Sequence, residues 1–188
     1  MPNHNRLVTR EEADAAGLAP INGPGGSPPE GPLGKAGPQI GAPYGIDVNA
    51  GWRMPTGLLC KEPPYGGIRA IELATGAIVW DRPFGSARKN GPFGIPSMPP
   101  VDIGTPNNGG SVVTAGGLAF IAATTDDLFR AIDVETGATV WQVELPAGGQ
   151  SSPFTYEIGG KPYVGLMTGG HHFMETPIGD QVIVWALP

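Results

Sequence analysis

A single cysteine, Cys60, closes no internal disulfide and leaves out every CxxC metal or redox site. No stretch reaches the roughly 18 consecutive apolar residues that a membrane-spanning helix needs. The opening residues, MPNHNRLVTREEADAAG, lack the apolar core of a secretory signal. Cations are scarce: 11 Lys and Arg against 17 Asp and Glu give a net charge of −6, with no basic cluster or stripe. Nucleic acid is therefore excluded as a partner, because phosphate binding needs a cationic face. Also missing are GxSxG, a phosphate-binding glycine loop, HExxH and the dinucleotide fingerprint. What the chain has in excess is glycine and proline, 31 and 22 of 188 residues, near the level at which disorder becomes the default. Residues 17–45 alone hold 9 Gly and 7 Pro in 29 positions.

Against that background one motif occurs twice. RAIELATGAIVW at residues 69–80 returns as RAIDVETGATVW at residues 130–141, with 8 of 12 positions identical and an offset of 61. Each copy reads as a β-hairpin: a short alternating strand, a turn ending in Thr-Gly, and a second alternating strand. Gly76 and Gly137 suit a turn position with φ > 0, where a Cβ would clash. Each copy ends in a tryptophan, Trp80 or Trp141, whose surface exceeds what one hairpin can bury. Units of this kind must stack on neighbours, which is the logic of a propeller blade.

Taken in order, residues 1–8 read as frayed. Thr9-Arg10-Glu11-Glu12 is a capping box opening a short helix that Gly17 would stop. Residues 17–45 read as an extended, Pro-punctuated loop, and residues 81–105 as a second long connection of the kind that usually packs over a site. Strands at Val112–Thr114 and Leu118–Ala123 run into the second repeat, giving a four-stranded blade over about residues 111–145. A hairpin through Gly159-Gly160 and a last apolar strand, QVIVWAL, complete between two and three blades, whereas a closed propeller needs at least four. Open strand edges and two tryptophans without docking partners predict poor solubility or self-association when the chain is alone.

Polar side chains concentrate on three loops. Asn107-Asn108-Gly109-Gly110 is rich in amides, and as an Asx turn it would serve only its own backbone. Asp126-Asp127 precedes the second repeat, where turn carboxylates are usually solvated or cap amides. His171-His172 follows Gly169-Gly170 at a strand end; adjacent side chains there point oppositely, so at most one faces a given pocket. As a metal pair they are poor, since a site needs further ligands.

The stretches CKEPPYGGIRAIEL, GTPNNGGSVVTAGGLAFIAATTDDLFRAID, LPAGGQSSPFTYE and MTGGHHFMETPIGDQVIVWALP together resemble the C-terminal part of the membrane-bound, pyrroloquinoline-quinone (PQQ)-dependent glucose dehydrogenases. The resemblance is strong over residues 43–188 and stylistic over residues 1–42. It implies an all-β fold, a partial eight-bladed quinoprotein β-propeller, with residues 1–45 an irregular Gly/Pro-rich segment bearing one short helix and residues 46–188 the C-terminal blades. The hairpin repeats are similar to tryptophan-docking motifs that lock such blades together.

Further expectations come from the same resemblance. They are oxidation of an aldose at C1 to the lactone, PQQ with Ca2+ or Mg2+, and ubiquinone as acceptor. A membrane domain and the remaining propeller blades would be partners, at the periplasmic face of the inner membrane. His171, with Gly170 before it, matches a position near the quinone. Asp126 matches one near the substrate pocket, and Asn107 and Asn108 lie on the same face. The catalytic base, the quinone-holding lysine and asparagine, and the metal ligands belong to earlier blades, so no catalytic or metal-binding residue is assigned in this chain. It is expected to be a C-terminal piece, inactive alone. GGHHFM leans toward the glucose branch, although sister enzymes acting on quinate, polyols or inositol share the fold. A non-catalytic propeller-type binding module is the competing reading.

Overall fold

Reciprocal hydrogen bonds close the capping box: the Thr9 amide donates to Glu12 Oε2 at 2.9 Å, and the Glu12 amide donates to Thr9 Oγ1 at 3.2 Å. They start helix α1 (Arg10–Ala15) in the computed structural model of the chain, which describes residues 4–15, 43–49, 60–89, 95–96, 101–171 and 174–187. Gly17, Trp52 and His172 lie outside the described residues. The chain divides into two compact units, Met1–Met54 and Pro55–Pro188.

In the first unit the frayed start is corrected. Strand β1 (His4–Thr9) pairs antiparallel with β2 (Tyr44–Asn49), from His4↔Asn49 to Thr9↔Tyr44. Val8 is turned inward and buried against Ala13 of α1, an apolar contact that helps hold the short helix in place. The pairing also crosses the domain boundary expected after residue 45.

The second unit is antiparallel β throughout its named sheets. Strands β3 (Gly67–Ile71) and β4 (Ile78–Pro83) form a two-stranded sheet, so the connection expected from residue 81 starts later, after Pro83. A single 3-10 turn, Ala87–Lys89, follows. The expected four-stranded blade is present as the meander β5 (Ser111–Val113), β6 (Leu118–Ile121), β7 (Leu128–Asp133) and β8 (Thr139–Glu144). Strands β9 (Phe154–Ile158), β10 (Lys161–Thr168) and β11 (Gln181–Ala186) make a three-stranded sheet with β10 in the middle. These sheets are not closed on one another, as in a partial propeller.

The two hairpin repeats fold alike because the same residues demand the same turn. Glu72 and Asp133 each accept the turn glycine's amide, at 2.7 and 2.8 Å, and each donates to the residue after that glycine at 2.9 Å. Gly76 and Gly137 both sit at φ 72°. Both hairpins also shift register at the Ala-Ile step. The core lies between the four- and three-stranded sheets: Phe120, Phe129, Ala131 and Leu145 pack on Val164 and Leu166. Each fully buried large side chain contributes about 1.5–3 kcal/mol by leaving water.

The tryptophans are not without partners, contrary to expectation. Trp80 of the first repeat lies on the turn of the second: its Nε1–H donates to the Val134 carbonyl at 2.8 Å, and a Cβ on Gly137 would sit 2.8 Å from the indole Cδ2. Trp141 packs edge-on against Phe129 and Trp185, with centroids 5.8 and 5.9 Å away. The repeat is therefore a docking device, joining β3–β4 to the four-stranded sheet.

Candidate functional site

Between β6 and β7 the chain must turn within Ala122–Asp127, and Asp127 takes the left-handed φ of 54°, a conformation short Asx side chains tolerate better than most. The turn carries Asp126 inward, to 0 % exposure, beside Arg130 at 5 %. Asp126 Oδ2 accepts from the Ser86 amide at 2.8 Å, from Ser86 Oγ at 3.0 Å and from Arg130 Nη2. Its Oδ1 accepts from Thr124 Oγ1 at 2.6 Å, Arg130 Nη1 at 3.1 Å and the Leu128 amide at 3.3 Å. Burial pushes this carboxyl up, but the hydrogen bonds and charge of Arg130, with Thr124 and Ser86, outweigh it and hold the group below its ordinary range. The guanidinium also lies 5.2 Å over the Phe84 ring. With both oxygens committed, Asp126 anchors the loops and has no lone pair to spare for proton abstraction.

The same arginine position in the first repeat behaves differently. Arg69 pairs with Asp81 across the hairpin in solvent, both about half exposed. Repeat identity thus fixes the strand position and leaves the partner to the surroundings.

A second polar chain runs from Asp126's neighbours to His171. Gln150 Nε2 donates to the Thr124 carbonyl at 3.0 Å, while Gln150 Oε1 accepts from Thr176 Oγ1 at 2.7 Å. Thr176 Oγ1 in turn accepts the His171 amide at 3.0 Å. Gly170, at φ 70°, brings the backbone so close to the next loop that a Cβ would lie 2.3 Å from the Pro177 carbonyl oxygen. Asn108 is held by its amide on the Ala123 carbonyl at 2.9 Å, and its Nδ2 faces His171 Nε2 at 3.1 Å. An amide nitrogen can only donate, so in this contact Nε2 is the accepting ring nitrogen.

Of the residues singled out from sequence, His171 and Asn108 therefore meet directly, with Gly170 next to His171 in the chain, and Asp126 joins them through Thr124, Gln150 and Thr176. Asn107 does not take part in these hydrogen bonds: its Nδ2 donates to the Thr105 carbonyl at 3.2 Å, within its own turn. Sequence reasoning missed Arg130, Ser86, Gln150 and Thr176. Arg130 carried a signal, as a cation flanked by apolar residues in a strand, four residues after an aspartate; the others did not.

Asp127 differs from its neighbour. Lys89 Nζ bonds its Oδ2 at 2.9 Å and Glu144 Oε1 at 3.0 Å. Burial drives the Asp127 carboxyl above its ordinary range despite Lys89, with repulsion from Asp126 and Glu144 adding to the effect.

Among the described residues no three His, Cys, Asp or Glu side chains come together as metal ligands. Nor is any helix there long and apolar enough to cross a membrane.

Comparison with known proteins gives consistent matches. The chain is 53% identical over all 188 residues to the glycerol dehydrogenase large subunit of Gluconobacter oxydans. It is 43% identical over 151 residues, 80% of the chain, to quinoprotein glucose dehydrogenase A of Acinetobacter calcoaceticus. It is 42% identical over 153 residues, again 80% of the chain, to a probable quinate dehydrogenase (quinone) of Xanthomonas campestris. The chain spans about a quarter of the length of the first relative and 19% of each of the other two. The resemblance that was strong only from residue 43 extends to residue 1, and it takes in glycerol and quinate enzymes beside the expected glucose branch. Residues 1–164 match the family model "PQQ: Glucose/ethanol/alcohol dehydrogenase, beta-propeller domain", and the chain belongs to that family of quinoprotein β-propellers.

Proposed function

We propose that this chain forms part of a PQQ-dependent dehydrogenase that oxidises a hydroxyl of a small polyol such as glycerol. One observation carries the choice of polyol over aldose: the 53% identity to a glycerol dehydrogenase large subunit runs through all 188 residues, whereas the glucose and quinate relatives match over 80% of the chain. Glucose oxidation to the lactone is the second reading, supported by the 43% identity to a glucose dehydrogenase.

The donor set suits a planar, oxygen-rich quinone. Asn108 and His171 are hydrogen-bonding side chains that meet each other, and these two would hold the edge of the cofactor. When bound, the quinone supplies a two-electron acceptor for the alcohol. The described residues do not suit a divalent cation, and its ligands are assigned to other blades. In this chain the Asp126–Arg130 pair fixes the loop before β7, Gln150 and Thr176 tie that loop to the turn at Gly170, and Asn108 orients the imidazole. Preorganisation of this kind places a donor before substrate arrives. The base that takes the hydroxyl proton comes from elsewhere, because Asp126 is fully engaged. By the same reading the electrons pass to ubiquinone at the periplasmic face of the inner membrane.

The test is a parallel assay of the PQQ-loaded protein carrying these residues on glycerol, glucose and quinate. Glycerol should show the highest kcat/KM, by about tenfold or more, the discrimination expected when a polar site is matched to its hydroxyls. A higher value for glucose would replace this reading with the second one.

A further inference from the structure

Behind the His171 loop a cleft of about 360 Å³ opens between the 3-10 turn and residues 174–177, with Lys89, Pro96, Asp127, Met174, Thr176 and Pro177 among its walls. Three observations single it out. Asp127 is 1 % exposed, and its Oδ1 has no hydrogen-bond partner, although a buried carboxylate oxygen left unpaired is costly. Asp127 and Glu175 are the non-glycine residues with positive φ among those described, at 54° and 53°, and both line this cleft. Backbone strain gathered at one cavity is a mark of function. Finally, Thr176 belongs both to the cleft and to the hydrogen-bond chain of His171.

The chemistry of the walls selects the ligand. Lys89 is bonded to Asp127 and Glu144, and Glu144 also meets Arg88 at 3.0 Å, so these four charges compensate one another, and the further carboxylate of Glu175 in the lining disfavours an anion. Lys89 holds Oδ2 and leaves Oδ1 as an acceptor. The two prolines and the methionine offer apolar faces on which C–H groups pack. The volume falls at the low end of small-molecule sites. A ligand hydroxyl can donate to that acceptor. We propose that this cleft binds a small polyhydroxylated molecule, with Asp127 Oδ1 paired to one of its hydroxyls. That the bound polyol is also the molecule oxidised rests on the function proposed above; the binding itself does not.

Glycerol titrated into the PQQ-loaded full protein, followed by calorimetry, tests this site. Asp127→Asn keeps a side chain that tolerates the left-handed backbone, but turning its carbonyl toward Lys89 presents an amide donor to the cleft. Affinity should fall about tenfold or more, the loss expected for a hydrogen bond to a charged group. Met174→Trp fills the cleft without touching the carboxylate and should abolish the same binding, with the unfolding midpoint confirming a folded protein. Wild-type affinity in both variants, or no glycerol binding by the wild type, overturns the proposal. Glycerol bound through Asp127 but never oxidised would remove the dehydrogenase reading and leave this site standing. Glycerol oxidised with unchanged KM in Asp127→Asn would do the reverse.

Discussion

Arg130→Met should destabilise the second unit by about 3–5 kcal/mol, the cost of leaving a buried carboxylate without its cation. Asp126 is fully buried, and Arg130 supplies a donor to each of its oxygens. Ser86 and Thr124 remain, yet neutral donors do not cancel the charge. Adding Asp126→Leu should recover much of the loss, because the double variant buries neither charge of this pair. The sign of the pH dependence follows from the folded carboxyl titrating below its unfolded value. Its contribution is complete above about pH 4 and is lost as pH falls through the folded value. The deficit of Arg130→Met measured at pH 7 should therefore narrow toward pH 3, where the orphaned carboxyl is protonated. Urea unfolding at the two pH values reads this directly. A deficit below about 1 kcal/mol at pH 7, beneath the cost of one lost buried hydrogen bond, would mean that the pair does not anchor the loops.

Trp80→Ala should cost about 2–4 kcal/mol, since it removes a half-buried indole and leaves the Val134 carbonyl without its donor. The two turn glycines provide an internal control. Both sit at φ 72°, so alanine at either pays a left-handed strain of about 1–2 kcal/mol. Nothing lies within 4 Å of a Cβ on Gly76, whereas one on Gly137 would press into the Trp80 ring at 2.8 Å. Gly137→Ala should therefore exceed Gly76→Ala by about 1–3 kcal/mol, as overpacking does. In a Trp80→Ala background that excess should disappear. Equal effects of the two glycine substitutions in the wild-type chain would show that Trp80 is not docked on this turn in solution.

Local signals carried much of the fold. The repeat announced both hairpins, their turn glycines and the four-stranded blade, because a 2-residue period and a Thr-Gly turn are written in neighbouring residues. The capping box was equally plain in Thr9 and Glu12. Long-range pairing was not: the partner of His4–Thr9, Tyr44–Asn49, starts only at the far end of the Gly/Pro-rich residues 17–45, and nothing in HNRLVT names it. The destination of Trp80 was hidden for the same reason, since its acceptor is 54 residues away. At the site, the loops bearing His171, Gly170 and Asn108 could be picked out by polar residue type. Whether a loop carboxylate is an anchor or faces a cavity depends on burial, and adjacent Asp126 and Asp127 divide those roles through one left-handed residue. Gln150 and Thr176 join the loops only after folding, by bonds spanning 26 residues.

The most direct measurement is PQQ-dependent oxidation of glycerol by the full protein carrying these residues, wild type beside His171→Ala. Turnover should require PQQ, and the variant's kcat/KM should be lower by about tenfold or more, as when an orienting group at a cofactor is removed, with its unfolding midpoint near that of the wild type. Oxidation without PQQ, or a His171→Ala variant as active as the wild type, would contradict a quinone site built around His171.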